Sequence, residues 1–502
     1  MDATRKSFWS TVRRVQGLEI LFAILALLVV FDSTPALSED FPRGSVIERV
    51  ICKDKAEQSY ALYLPSNYSP DRSWPLIAAF DPGARGKMPV ERFRQAAEQY
   101  GYIVCGSNNS RNGPWAPTAE AAQAMLRDVS QRFAVDDKRL YLTGFSGGAR
   151  VATRIALSLR DNVAGVIGCG AGLSTGLQPS ALAPFAYYGT VGTEDFNYPE
   201  MKQLERSFES TTVAHHLEVF EGGHDWAPAD SCVRAIEWMI IQGMKSGKLA
   251  VDRVVAERLL KNAVERARAQ ESAGRGYDAY TAFSAIASDF KGLLDTAEYE
   301  ARAAALRDSA AVKDAIKQER DDETEQRRRA TELFRLRAAL RTSPAEHTTD
   351  ESPVFPPDTQ ESPGADRQLA LSDLKKRLAD LKRKSDLPTA TRERALARRV
   401  LNQFLIAEFE SASGLIQSNK YDPAIAILSI DTELMPDNWR FFYNLACVYS
   451  LKGDRKRALS ALDKAVEKGF TNAAELETNK QLIGIRDEPE FKALVNRLKQ
   501  PR

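Results

Sequence analysis

One serine in this chain sits where a hydroxyl could become a nucleophile. Gly144-Phe145-Ser146-Gly147-Gly148 reads GxSxG, follows the apolar run Leu140-Tyr141-Leu142-Thr143 and precedes a helical pattern from Ala149. Strand, sharp turn and helix form the context in which such a serine is presented with its Oγ exposed. The flanking glycines permit a turn too tight for side chains. A serine hydroxyl attacks only when a base takes its proton, and the base needs an acid to hold its tautomer. With this turn the expected chain order is Ser, then Asp or Glu, then His. The chain offers four histidines, His215, His216, His224 and His347. His347 falls in a Pro/Ser/Thr-rich stretch, and His215 and His216 open an apolar run at its end remote from the serine. His224 follows the other end of that run, in Glu221-Gly222-Gly223-His224-Asp225-Trp226, and is the expected base. For the acid, Tyr187-Tyr188-Gly189 leads into Thr190-Val191-Gly192-Thr193-Glu194-Asp195. Asp195 is the first choice, with Glu194 and Asp225 as alternatives; a turn or helix-capping carboxylate would have the same local sequence.

The elements that must position these residues are legible between 45 and 245. Short apolar runs mark strands at Tyr60–Leu64, Pro75–Phe80, Tyr102–Cys105, Arg139–Thr143, Val163–Cys169, Pro184–Gly189 and His216–Phe220. Helix-length segments separate most of them, at Val90–Tyr100, Ala119–Phe133 and Ala149–Leu159. Strand and helix in alternation imply a largely parallel sheet covered on both faces. Active sites of such sheets lie at the carboxyl ends of the strands.

Two further loops leave strand ends on that side. Phe80-Asp81-Pro82-Gly83-Ala84-Arg85-Gly86 is the expected source of a second oxyanion donor, Gly83 or Ala84, beside the N–H of Gly147. Ser107-Asn108-Asn109-Ser110-Arg111-Asn112-Gly113-Pro114-Trp115 places Asn108, Arg111 and Trp115 within reach of a polar or carboxylate-bearing substrate. A surface loop of Asx turns reads the same way. Trp115 and Trp226 either wall a substrate pocket or edge the core. Cys105 and Cys169 end strands near Ser146 and read as small buried residues.

Tyr60-Ala61-Leu62-Tyr63-Leu64-Pro65-Ser66-Asn67-Tyr68, Trp74-Pro75-Leu76, Gly144–Gly148 and Gly223-His224-Asp225-Trp226 together resemble the α/β-hydrolase family. Within it they are most similar to extracellular esterases related to feruloyl esterases and polyhydroxybutyrate depolymerases, over about two hundred residues. The resemblance implies a serine esterase with Ser146 as nucleophile, Asp195 as acid and His224 as base, needing neither metal nor cofactor. Its substrate would be a small-molecule or polymeric ester. Such relatives usually carry His-Gly after the third strand, where this chain has Asp81-Pro82-Gly83. A peptidase shares the triad, and a non-catalytic binding protein could keep the same domain.

The remainder is helical. Residues 248–341 are rich in Ala, Arg and Glu, 343–366 form a Pro/Ser/Thr/acidic linker too polar to bury a core, and 367–502 are helical again. Near the end a period of 34 appears: Ala412, Leu415, Ala424, Leu428 and Pro436 recur as Ala446, Tyr449, Ala458, Leu462 and Phe470. Small residues at the eighth and twentieth positions let paired helices approach closely, and Asn444–Asp454 resembles a tetratricopeptide repeat. A degenerate repeat is expected around Ala279 and Phe283. With so few repeats the array must pack on Leu369–Leu381 or on the hydrolase domain. It provides either a concave surface for a protein partner or a scaffold. If it only recruits partners, removing 367–502 leaves turnover intact. The fold class is therefore α/β, an α/β-hydrolase domain followed by an all-α helical-repeat region.

Composition bounds the rest. The 502 residues carry 69 basic and 68 acidic side chains, which gives no electrostatic footprint for nucleic acid. Arg327-Arg328-Arg329 follows Asp321-Asp322-Glu323 and reads as a solvated helix. Five scattered cysteines without a CxxC pair argue against a disulfide scaffold or a structural zinc. Residues 1–38 read as an address. Arg5, Lys6, Arg13 and Arg14 precede the apolar run Ile20–Phe31, and Ala36 and Ser38 suit a cleavage site. That run spans about 18 Å as a helix, short of a membrane core of roughly 30 Å. The expected protein is exported, periplasmic or secreted, with a membrane association only if this segment stays uncleaved.

Overall fold

The computed structural model describes residues 41–174, 176–182, 185–340 and 367–500. The N-terminal address and the 343–366 linker with His347 lie outside the described residues. The chain divides into two compact units: residues up to 192 together with 199–313, and residues 193–198 together with 314 onward.

The first unit is built on one eight-stranded sheet. In chain order its strands are β1 (Val46–Ile51), β2 (Ser59–Tyr63), β3 (Trp74–Phe80) and β4 (Ile103–Ser107). They continue as β5 (Val135–Phe145), β6 (Val163–Cys169), β7 (Ala186–Gly192) and β8 (His215–Phe220). The spatial order is β1-β2-β4-β3-β5-β6-β7-β8. β1 pairs with β2, and β2 with β4, antiparallel; every later pair is parallel. This order, with a nucleophile turn after β5, is that of an α/β-hydrolase domain. Seven strands coincide with the apolar runs read from sequence. β1 was missed because Glu48 and Arg49 interrupt its apolar residues on the exposed sheet edge.

Period-two alternation sends each strand's side chains to two separate cores. Leu76, Ala78 and Phe80 of β3, with Leu140 and Leu142 of β5, face α2 (Trp115–Arg132) and α3 (Gly147–Leu159). Ile77 and Tyr141 face the other way, onto α1 (Lys87–Tyr100) and α5 (Ala229–Lys245). Between β7 and β8 runs α4 (Tyr198–Phe208). α6 (Arg253–Ser272), α7 (Gly276–Asp289) and α8 (Ala297–Asp308) close a further core over Ile241 and Met244 of α5, in which Ala279 and Phe283 are buried.

The second unit is all helical. Most of α9 (Ala310–Ala338) belongs to it, and α10 (Arg367–Ser385) and α11 (Arg392–Gln417) pack with α9 through Leu333, Leu374, Leu378, Leu381, Val400 and Phe404. The helical array thus rests on the Leu369–Leu381 segment, one of the two supports expected for it. α12 (Tyr421–Leu434), α13 (Trp439–Lys452) and α14 (Arg455–Glu467) follow, then α15 (Ala473–Thr478) and α16 (Pro489–Lys499). Ala412, Ala424, Ala446 and Ala458, the small residues of the 34-residue period, are all buried in one core. Arg337 is buried between Glu408 and Asp431, and burial together with Glu408 pushes the Asp431 carboxyl far above its ordinary range. Arg328 and Arg329 pair with Glu325, as expected of a solvated helix face. Among the described residues no helix is long and apolar enough to cross a membrane.

His216, excluded above as the base, ties α7 to the sheet edge. Its ring stacks on Tyr188 (4.8 Å between centroids) and its Nδ1 lies 3.4 Å from Asp289 Oδ2. Burial opposes its charge, but the bond to Asp289 and the charges of Asp289, Glu218 and Glu205 outweigh it and raise the pKa. A raised folded pKa gives stability that is complete below the unfolded value, near 6.5, and is lost as pH rises through the folded one. The unfolding free energy lost in His216→Asn should therefore be larger at pH 6 than at pH 9, measured by urea denaturation. An equal loss at both would contradict the pairing.

Candidate active site

β5 ends at Phe145 and α3 begins at Gly147, so Ser146 alone makes the turn. It adopts φ +53° and ψ −124°, a conformation a side-chain-bearing residue holds only when its surroundings enforce it. Two close approaches do so. A Cβ on Gly144 would lie 2.0 Å from Gly148 O, and one on Gly148 would lie 2.0 Å from Phe80 O, so neither position admits a side chain. Ser146 N–H donates to Cys169 O of β6 (2.8 Å), and its carbonyl accepts from Ala149 N–H (2.9 Å). Gly147, first in α3, has no carbonyl within the helix to receive its N–H.

His224 Nε2 lies 3.0 Å from Ser146 Oγ, so the two residues paired on sequence grounds share a hydrogen bond. The imidazole rests 4.6 Å from the Phe145 ring. It is supplied by the loop after β8, which leaves the sheet beside the end of β7. A Cβ on Gly192 would lie 2.4 Å from Gly222 O and 2.5 Å from Gly223 O.

The three candidate acids have different surroundings. Asp225 is exposed, 3.5 Å from Arg92 and bonded to the N–H of Trp226. Glu194 is buried in ion pairs with Arg394 (2.7 Å) and Arg398 (2.6 Å). Asp195 is fully buried; its Oδ1 accepts from Asn197 N–H (2.8 Å) and its carbonyl from Tyr198 N–H (3.0 Å), turning the chain into α4. Asp195 lies three residues past the end of β7, in the short segment that belongs to the second unit.

The Asp81 loop corrects one expectation. Gly83 N–H donates to Asp81 Oδ1 (2.8 Å) and Ala84 N–H to Asp81 O (3.1 Å), so both nominated oxyanion donors are engaged within their own turn. The cause is Asp81 itself, fully buried and also receiving Arg85 Nε (2.8 Å) and Trp226 Nε1 (2.8 Å). Burial pushes its carboxyl up, but the Arg85, Trp226 and Gly83 bonds outweigh burial and hold it below its ordinary value.

The expected substrate contacts fare unevenly. Trp226 is buried and bonded to Asp81, and so is a strut of the Asp81 loop rather than a pocket wall. Trp115 opens α2, packs on the core and lies under the Arg154 guanidinium at 4.0 Å. Asn108 donates to Glu48 O (3.1 Å), pinning β1 to the sheet. Only Arg111 keeps its side chain exposed, its backbone bridged to Gly83. From the same loop its neighbour Asn112, which the sequence reading passed over, closely approaches the nucleophile turn. A Cβ on Gly147 would lie 1.9 Å from Asn112 Oδ1, and Asn112 N–H donates to Pro82 O (2.9 Å). Nothing in the run of Asn, Ser and Gly distinguished it. Cys105 and Cys169 are fully buried, and burial raises the Cys169 thiol to about 11. Among the described residues no cluster of His, Cys, Asp or Glu could hold a metal ion.

No family model matches the chain, and no curated protein does. Solved structures do resemble part of it. An S-formylglutathione hydrolase from Staphylococcus aureus is 16% identical, covering 36% of this chain and 90% of its own, with a TM-score of 0.30. One from Agrobacterium tumefaciens is 16% identical over 41% of this chain and 98% of its own, with a TM-score of 0.32. Esterase B from Lactobacillus rhamnosis is 14% identical over 42% of this chain and 92% of its own, with a TM-score of 0.33.

The Asp81 network yields a direct expectation. Trp226→Phe keeps an aromatic ring but removes one of the two donors on buried Asp81 Oδ2, leaving Arg85 Nη2 (3.0 Å); loss of a hydrogen bond to a charged group costs about 1.5–3 kcal/mol. Denaturant unfolding measures this, and a variant as stable as the parent would contradict the role given to the indole.

Proposed function

We propose that the protein is an exported serine hydrolase that cleaves carboxylic esters through an acyl-enzyme. The observation that carries this reading is the 3.0 Å contact between His224 Nε2 and the Oγ of a serine held in a strained strand-to-helix turn. Ser146 Oγ attacks the ester carbonyl carbon while His224 Nε2 takes its proton. The tetrahedral intermediate collapses, and the alcohol leaves with that proton. Water, deprotonated by His224, then attacks the acyl group, releases the acid and restores the serine.

Asp195 is the acid of the triad in this reading. It follows the end of β7, the strand whose terminal glycine is packed against the loop of His224, and it is the most deeply buried of the three candidates. For the oxyanion, the N–H of Gly147 supplies one donor. With Gly83 and Ala84 engaged, the second falls to the carboxamide of Asn112, whose Oδ1 and Nδ2 exchange by a half-turn. Export rests on the basic and apolar residues of 5–38. The 34-residue period of buried alanines supports two tetratricopeptide-like repeats, suited to a peptide or protein partner.

Reaction of the full chain with a fluorophosphonate probe tests the reading. The parent should label, and Ser146→Ala and His224→Ala should not; labelling that survives loss of Ser146, or none of the parent, points to a binding domain without turnover. Asn112→Ala should lower kcat on p-nitrophenyl esters about 10²–10³-fold with KM little changed, as for the loss of one oxyanion donor. Unaltered kcat would remove Asn112 from the site.

A further inference from the structure

The loop that carries Asp195 is gripped by the helical unit to which it belongs. Arg399 Nε donates to Thr193 O (2.6 Å), and Arg394 and Arg398 both close on the Glu194 carboxylate. Gln326 Nε2 donates to Phe196 O (2.9 Å), and the Tyr198 hydroxyl to Glu319 (2.5 Å), under the Arg399 guanidinium at 3.7 Å. Four of the six residues from Thr193 to Tyr198 are thus fixed by α9 or α11, and the held ones flank Asp195 on both sides.

The placement of these arginines is costly without the loop. α11 begins at Arg392, so Arg392 and Arg394 lie in its first turn, where the helix dipole is positive, and Arg398 and Arg399 follow one turn on. Arg392 is answered by Asp322 of α9. Glu194 answers Arg394 and Arg398, while Arg394 Nη1 also donates to the carbonyls of Leu387 and Pro388 and Arg398 Nε to that of Ser385. Arg399 is buried, and burial depresses its pKa, opposed by Tyr198, Asp322, Glu319 and Asp195. Buried Arg399 on a backbone carbonyl, with Arg394 and Arg398 each on one oxygen of the same carboxylate, fix the six-residue loop by charge-assisted hydrogen bonds.

We infer that Arg394, Arg398 and Arg399 are positioning residues for hydrolysis: they hold Thr193–Tyr198 and through it the Asp195 carboxylate. This rests on the proposed serine-hydrolase reading with Asp195 as its acid. It also goes against the reading in which 367–502 only recruits partners and its loss spares turnover, since that segment supplies all three arginines.

Point variants of the full chain test it. Arg394→Ala/Arg398→Ala should lower kcat on p-nitrophenyl acetate about 10²-fold with KM nearly constant, as a small misplacement of a catalytic group does. Arg394→Lys/Arg398→Lys should recover part of the loss, and Glu194→Gln, which keeps the shape of the loop, should show a smaller loss in the same parameter. Added to Asp195→Asn, the double alanine change should lower kcat no further. Hydrogen exchange of the 193–198 amides should quicken in the double variant. A folded double variant with parental kcat, or losses that multiply with Asp195→Asn, overturns the inference. If the parent itself neither labels nor turns over, the hydrolase reading fails on its own. Exchange at 193–198 then still decides whether the arginines hold the loop, and unchanged rates overturn that too.

Discussion

A serine at φ +53° costs on the order of 1–3 kcal/mol relative to relaxed backbone, and most of the first unit can be understood as what holds it there. The turn cannot relax, because Gly148 is pressed against the end of β3 and Gly144 against Gly148. The N–H of Ser146 is tied to β6. Those strands are kept in register by a sheet that is buried on both faces, with Leu76, Leu140 and Leu142 on one side and Ile77 and Tyr141 on the other. The strain at one residue is therefore balanced by packing spread over β3, β5 and β6. The benefit is an Oγ raised clear of the sheet, where an imidazole can reach it.

The same parallel sheet sets the order of the site. β5, β6, β7 and β8 run side by side, with Phe145 opposite Cys169, Cys169 opposite Thr190 and Gly192 opposite Phe220. Their carboxyl ends form one edge, from which the serine turn, the Asp195 loop and the His224 loop depart in sequence. On the neighbouring strand β3 the departing loop is organised differently. A buried aspartate there collects a guanidinium, an indole and a backbone N–H, and so builds a rigid turn with its own amides used up. Within these seven residues a buried charge and the surroundings of the loop compete for the same donors, and Asp81 takes them.

This competition explains what was legible in the sequence and what was not. The strands showed because fully buried parallel strands are near-continuous apolar runs; β1 failed to show because an edge strand needs no such run. Ser146 and His224 showed because glycine spacing and the scarcity of histidine leave few choices. Gly83 and Ala84 looked like donors because sequence records that an N–H exists, not where it points. Trp226 and Trp115 stayed open between pocket wall and core edge because an indole packs equally well at a site or in a core, and only burial separates the two. Asn112 lay among similar residues with no local mark. The grip of Arg394, Arg398 and Arg399 on 193–198 spans about two hundred residues. Its one local trace was a pair of arginines, Arg392 and Arg394, in the first turn of a helix, where the dipole disfavours them.

The helical unit thereby changes meaning. Its buried alanines at a period of 34 suit a repeat array, yet its first helices are committed to the loop that follows β7. The central claim remains the nucleophile, and one measurement reaches it without an inhibitor. Rapid mixing of the full chain with excess p-nitrophenyl acetate, followed by acid quenching and intact and peptide mass analysis, reads the covalent intermediate. The account predicts a burst of p-nitrophenol approaching one equivalent and an acetyl group on Ser146. Steady hydrolysis with no burst and no acyl group on Ser146, under conditions where deacylation is slowed by low temperature, would contradict it.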